Sequence, residues 1–90
     1  MKKFIVERTI PGAGAMTQKE LTQITRKSSA VAHEIDKPYH WVQSFVTEDK
    51  IFCVHIAPDK ETVLKHSEIG SFPVDAVYEV CNVIDPSTGG

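Results

Sequence analysis

The chain is short of cysteine, and Cys53 and Cys81 are the whole supply. Two thiols without C-x-x-C spacing make neither a disulfide framework nor a zinc knuckle, so both are expected as free thiols. Basic excess is also missing. Ten Lys and Arg stand against twelve Asp and Glu, for a net charge of −2. With aromatics at only 8%, a nucleic-acid partner is not expected. There is no apolar run long enough to cross a bilayer, so no membrane partner is expected either. Phe4-Ile5-Val6 follows Lys2-Lys3 but is cut at once by Glu7-Arg8, which argues against an export signal and for a cytoplasmic location. The loop Pro11-Gly12-Ala13-Gly14-Ala15 lacks both G-x-G-x-x-G spacing and a Lys-Ser/Thr pair. H-E-x-x-H spacing and a serine nucleophile elbow are absent as well.

What is present is an ordinary globular composition, 41% hydrophobic and 24% charged over 90 residues. That length fits one domain, assigned to residues 1–86 with a flexible tail at 87–90. A chain this short buries only about 60–65% of its unfolded surface, so self-association is a natural supplement. The β-branched and aromatic run Lys3 to Ile10 stops at Pro11-Gly12, as a strand should. Thr17-Gln18-Lys19-Glu20 is a capping box and predicts a helix to about Glu34, with Leu21, Ile24, Ser28, Val31 and Ile35 facing inward. Tyr39 to Val46 and Ile51 to Ile56 read as a β-hairpin. Asp59 caps a second helix, with Val63, Leu64 and Ser67 inward and Gly70 in the left-handed position that ends it. Ala76 to Ile84 is expected as a last strand, and Asp85 to Gly90 as a loose end.

The order β-α-β-β-α-β predicts an α+β, ferredoxin-like fold: an antiparallel sheet ordered 4-1-3-2 with both helices on one face. The other face is left bare. Alternation along the strands assigns Phe4 and Val6, then Phe52, Val54 and Ile56, then Tyr78, Val80 and Ile84 to the helix side. A three-residue hairpin loop would pair Phe45 with Cys53 and Gln43 with His55, keeping Val42 and Val46 in the core. A two-residue loop would turn Val42 and Ser44 to the Cys53 face instead. Under the first register the bare face carries Ile5, Trp41, Phe45, Val77 and Val83, an apolar surface suited to a second copy of the chain. It also gathers Glu7, Cys53, His55 and Glu79, with Cys81 and Gln43 at the margin. Carboxylate, imidazole and thiolate together suit a borderline divalent ion such as Ni²⁺ or Zn²⁺. The plainer alternative has Glu7 paired with a basic residue, His55 in an interface and both thiols packed as small hydrophobes.

Val6-Glu7-Arg8-Thr9, Trp41-Val42-Gln43-Ser44-Phe45-Val46, Lys50-Ile51-Phe52-Cys53-Val54, Ala57-Pro58 and Val83-Ile84-Asp85-Pro86 resemble a family of small nickel-binding, nickel-responsive proteins known from actinobacteria. The similarity runs from about Lys3 to Pro86. It implies a ferredoxin-like fold, a homodimer joined through its sheets, and Ni²⁺ or another divalent transition metal held at histidine-containing sites. Position by position, Glu7, Cys53 and Glu79 match the family pattern, and His66 falls where many members carry histidine in the second helix. Gln43 stands where many relatives have histidine, and a neutral amide is a poor nickel ligand. His55 occupies a position where an aromatic is commoner.

The leading expectation is thus a dimeric metal-binding store, buffer or sensor. A competing one is a small enzyme of the dimeric α+β barrel type, monooxygenase-like or isomerase-like. It would bind a small organic molecule, with Glu79 or His55 as general base. A third, a modifier-type carrier suggested by Gly89-Gly90, lacks the apolar run that precedes such a diglycine.

Overall fold

A computed structural model describes residues 1–90. Four strands and two α-helices alternate: β1 (Lys2–Thr9), α1 (Gln18–Glu34), β2 (His40–Val46), β3 (Lys50–Ala57), α2 (Lys60–Ile69) and β4 (Ala76–Glu79). Every strand pair is antiparallel, and the order β2-β3-β1-β4 is the 4-1-3-2 sheet expected of a ferredoxin-like fold. The capping box forms: Thr17 Oγ1 accepts from the Glu20 amide at 3.2 Å and Glu20 accepts from the Thr17 amide at 3.0 Å. Asp59 accepts from the Thr62 amide at 2.8 Å and starts α2. At the end of α2, Gly70 is right-handed (φ −80°), and the left-handed residue is Ser71 (φ 54°). Gly70 is needed for another reason: a Cβ there would run into the Phe72 ring.

The strand faces separate cleanly. Phe4, Val6 and Arg8 of β1 pair with His55, Cys53 and Ile51 of β3, and all six are buried beneath the helices. With Ala13, Ala57 and Val63 of α2, the apolar members form the core, each fully buried branched or aromatic side chain contributing about 1.5–3 kcal/mol. Ile5 pairs with Val54 and Glu7 with Phe52 on the face that no helix covers.

This overturns the expected orientation of β3. Both of its alternating sets are apolar enough for a core, and choosing the bulkier one misplaces the strand. The core already holds Phe4 and the whole Arg8 side chain, so the slimmer set Ile51, Cys53 and Ala57, with His55, fits beneath the helices. Phe52, Val54 and Ile56 turn to the bare face. The hairpin adopts the two-residue register. Ser44 pairs with Cys53 and Phe45 with Phe52, and a bulge between Trp41 and Gln43 brings Trp41 opposite His55. Trp41 therefore lies on the helix side, while Val42 and Val46 stay largely exposed. In β4, Val77 pairs with Val6 and Tyr78 with Ile5, again the reverse of expectation.

The last strand is also shorter than the run of β-formers suggests. Val80 still donates its amide to the Lys3 carbonyl, and the pairing with β1 goes no further. Cys81 to Ile84 leave the sheet exposed. Residues Pro86–Gly89 form a 3-10 turn capped by Asp85, where a loose end was expected. In α2, Leu64 faces outward and Thr62, Val63, His66 and Ser67 face inward.

Candidate functional site

The interior between the helices and the sheet is unusually polar. Arg8, Ser28, His55, Thr62, His66 and Ser67 are all buried there. Period-two alternation with Phe4 and Val6 carries Arg8 inward from β1. The bulge in β2 brings Trp41 beside β3, and α2 presents His66 and Ser67 from its sheet-facing side. Tyr39, just before β2, closes the group.

Two imidazoles lie at its centre. His55 and His66 are each 1% exposed, with ring centroids 5.2 Å apart. Each spends one nitrogen on a positioning contact. His55 Nδ1 is 2.6 Å from the Tyr39 hydroxyl. His66 Nε2 is 3.1 Å from the Ser28 carbonyl oxygen and 3.3 Å from the Ser28 hydroxyl. A carbonyl only accepts, so the Ser28 contact fixes the His66 proton on Nε2 and leaves Nδ1 with a lone pair. The second nitrogen of each ring, His55 Nε2 and His66 Nδ1, is buried without a hydrogen-bond partner. Tyr39 stacks on His66 at 5.0 Å and 11°, and Phe72 lies near the same ring at 5.5 Å and 22°.

Burial decides the charge states. It pushes His55 down to about 3, with His66 and Arg8 adding to the shift. It lowers His66 too, and Arg8 adds to this while the Ser28 backbone bond opposes it. Tyr39 is raised by burial above an ordinary phenol. Near neutral pH the pair is therefore two neutral imidazoles, the form that ligates a metal.

The constellation expected on the bare face does not assemble there. Cys53 and His55 are on the helix side, for the packing reason given above, whereas Glu7 and Gln43 lie on the opposite face. Lys50 Nζ stands 2.5 Å from Glu7 and Tyr78 donates to it at 3.1 Å, and the Lys50 contact is the main cause of its lowered pKa. Glu79 shares the Phe4 side of the sheet but is exposed, 3.6 Å from Lys2. Cys81 lies beyond β4, exposed. No cluster of three or more His, Cys, Asp or Glu side chains is gathered anywhere.

The structure instead joins His55 and His66, with Cys53 on the same face of β3 as His55. His66, whose mid-helix position favours solvent, is wholly inside. Arg8 and Tyr39 were missed, although the spacing Phe4, Val6, Arg8 carries the signal for the first. Ser28 and Ser67, in the inward stripes of the two helices, already marked the interior as polar.

No curated protein matches this sequence. Among solved structures, the fold is similar to the crystal structure of SCO4226 from Streptomyces coelicolor A3(2). The TM-score is 0.77 at 22% identity, over 91% of this chain and 99% of that one. The family model described as nickel responsive protein SCO4226-like matches residues 4–80. With most of the chain and nearly all of the 4-1-3-2 sheet inside that span, the chain belongs to the nickel responsive SCO4226-like family.

Proposed function

We propose that this protein binds a borderline divalent transition metal, with Ni²⁺ the ion indicated by the family's description, through the imidazoles of His55 and His66. The observation that carries the reading is the pair of buried ring nitrogens, His55 Nε2 and His66 Nδ1, that have no protein partner. The opposite nitrogens are held by Tyr39 and Ser28. A ligating imidazole commonly has its other ring nitrogen bonded to a carbonyl or similar group, which sets the tautomer and the ring's aim. Cys53 is the nearest soft donor in sequence and shares the His55 face. Two imidazoles do not fill the coordination shell of a borderline ion, so water or a small ligand would supply the remainder.

The same reading takes the protein as a homodimer joined through the bare face. Phe45 is 54% exposed and Tyr78 53%, beside the half-buried Ile5, Phe52 and Val54. A second copy would cover that surface, and the dimer would serve as a metal store, buffer or sensor. Untagged protein titrated calorimetrically with Ni²⁺ is expected to bind, and His55→Gln and His66→Gln are each expected to weaken binding roughly tenfold or more. Glu7→Gln should leave it unchanged. Binding that ignores both histidine variants would overturn the assignment.

A further inference from the structure

Arg8 is the only Lys, Arg, Asp or Glu side chain that the fold takes out of water, at 3% exposure. All its contacts are neutral: Nε donates to Cys53 Sγ at 3.4 Å, and Nη1 to Ser67 Oγ at 3.0 Å and the Pro73 carbonyl at 2.8 Å. Phe72 lies over the guanidinium, 5.4 Å from ring centroid to Cζ. The molecule's ion pairs are Lys2–Glu79 and Lys50–Glu7, so no carboxylate meets Arg8. A guanidinium keeps its charge in a protein interior, and buried charges are ordinarily paired. This one is not.

Arg8 forms part of the wall of a cavity of about 230 Å³ between α1 and the sheet. Leu21, Ile24 and Trp41 make its apolar side, Ser28 and His66 add a hydroxyl and an imidazole, and no acidic residue lines it. One unmatched cation in an apolar pocket selects for an amphiphile of opposite charge. The volume is below the ~300–1,000 Å³ usual for cofactor-sized ligands, so the occupant is small.

We propose that this cavity is a binding site for a small organic monoanion: a carboxylate with a short apolar tail. The carboxylate pairs with Arg8, and the tail lies against Leu21, Ile24 and Trp41. Nε and Nη1 make the three protein contacts, which leaves the Nη2 hydrogens unspent. A guanidinium edge is the geometry that carboxylates match. The ligand is of a different class from the metal of the imidazole reading, although Ser28, Cys53 and His66 line this cavity as well.

Trp41 is the single tryptophan of the chain and lines the cavity, so its emission reports occupancy directly. Chelator-treated protein would be titrated with hexanoate, 1-hexanol and inorganic phosphate. Hexanoate is expected to give a saturable change, with the alcohol and phosphate each roughly tenfold weaker or more, since a charge-assisted contact and the apolar tail both contribute. Arg8→Met should bring hexanoate down to the level of the alcohol. Because Arg8 also anchors the core, Ile24→Phe serves as a second variant. It fills the cavity, leaves the guanidinium in place, and should abolish hexanoate binding. No response to millimolar hexanoate, equal binding of acid and alcohol, equal binding of phosphate, or hexanoate binding unaffected by Ile24→Phe would each overturn the proposal. With metal removed beforehand, failure of the Ni²⁺ titration leaves this result standing, and the reverse also holds.

Discussion

The two faces of one sheet carry opposite kinds of chemistry. Beneath the helices lie a guanidinium, two imidazoles and a thiol, all buried. On the uncovered face lie Ile5, Phe45, Phe52, Val54 and Tyr78, with Glu7 held between Lys50 and Tyr78 and Thr9 bonded to Asp75. Hydrophobicity alone would place them the other way round. Polar groups persist inside because nearly all of them find partners: Ser67 and Pro73 for Arg8, Ser28 for His66, Tyr39 for His55. The few atoms left over mark where ligands are proposed to act. Large apolar side chains persist outside where, on our reading, a second copy replaces water.

The sharpest contrast should come from one aromatic on each face. Phe4→Ala removes a ring that is 1% exposed and is expected to cost about 3–5 kcal/mol in chemical unfolding. Phe45→Ser, at 54% exposure, should leave the monomer's unfolding nearly unchanged and instead shift light-scattering mass from dimer toward monomer. If Phe45→Ser unfolds the protein as Phe4→Ala does, the two faces are not energetically distinct.

Acid should also act through the interior. Unfolded His55 takes up a proton near 6.5, whereas the folded one resists it to about 3, because burial excludes water and His66 and Arg8 add to the effect. The native state therefore binds fewer protons between those values. Stability is complete above about pH 6.5 and falls as pH drops toward 3, by up to about 1.4 kcal/mol per pH unit for this one group. His66 is shifted in the same direction and steepens the loss. Urea unfolding of chelator-treated protein across that range should show the decline, and His55→Gln should flatten it. A smaller effect is expected of Tyr39→Phe, which strips the bond to His55 Nδ1 and should cost about 1–2 kcal/mol. The smallest belongs to Glu79→Ala. Its ion pair with Lys2 is half exposed on both sides, and thermal unfolding should move by no more than about 0.5 kcal/mol.

Much of the fold was legible because its signals are local. Thr17 with Glu20, Asp59 and the Pro11-Gly12 stop each act within a few residues, and the element order leaves few sheet topologies open. The strand faces were not legible in the same way. Ile51 to Ile56 is apolar on both sides, so its orientation depends on what β1 places opposite, and Arg8 takes volume that a bulkier set would need. The hairpin register hung on a single loop residue and a bulge at Val42, and a one-residue slip exchanges the faces. The candidate site inherited those errors. His55 and Cys53 were singled out for suitable chemistry and set on the wrong side, while His66 entered only through the family resemblance. Arg8 and Tyr39 gain their significance only once the helices close over them.

The central claim is that the polar interior, through His55 and His66, holds the metal. Nitrogen-15 spectra of the imidazole rings, recorded while Zn²⁺ is added as a diamagnetic substitute for Ni²⁺, test it most directly. The account predicts that His55 Nε2 and His66 Nδ1 shift together and saturate together, while the rings of the exposed His33 and His40 stay where they were. Shifts confined to His33 or His40, with the interior rings unmoved, would contradict it.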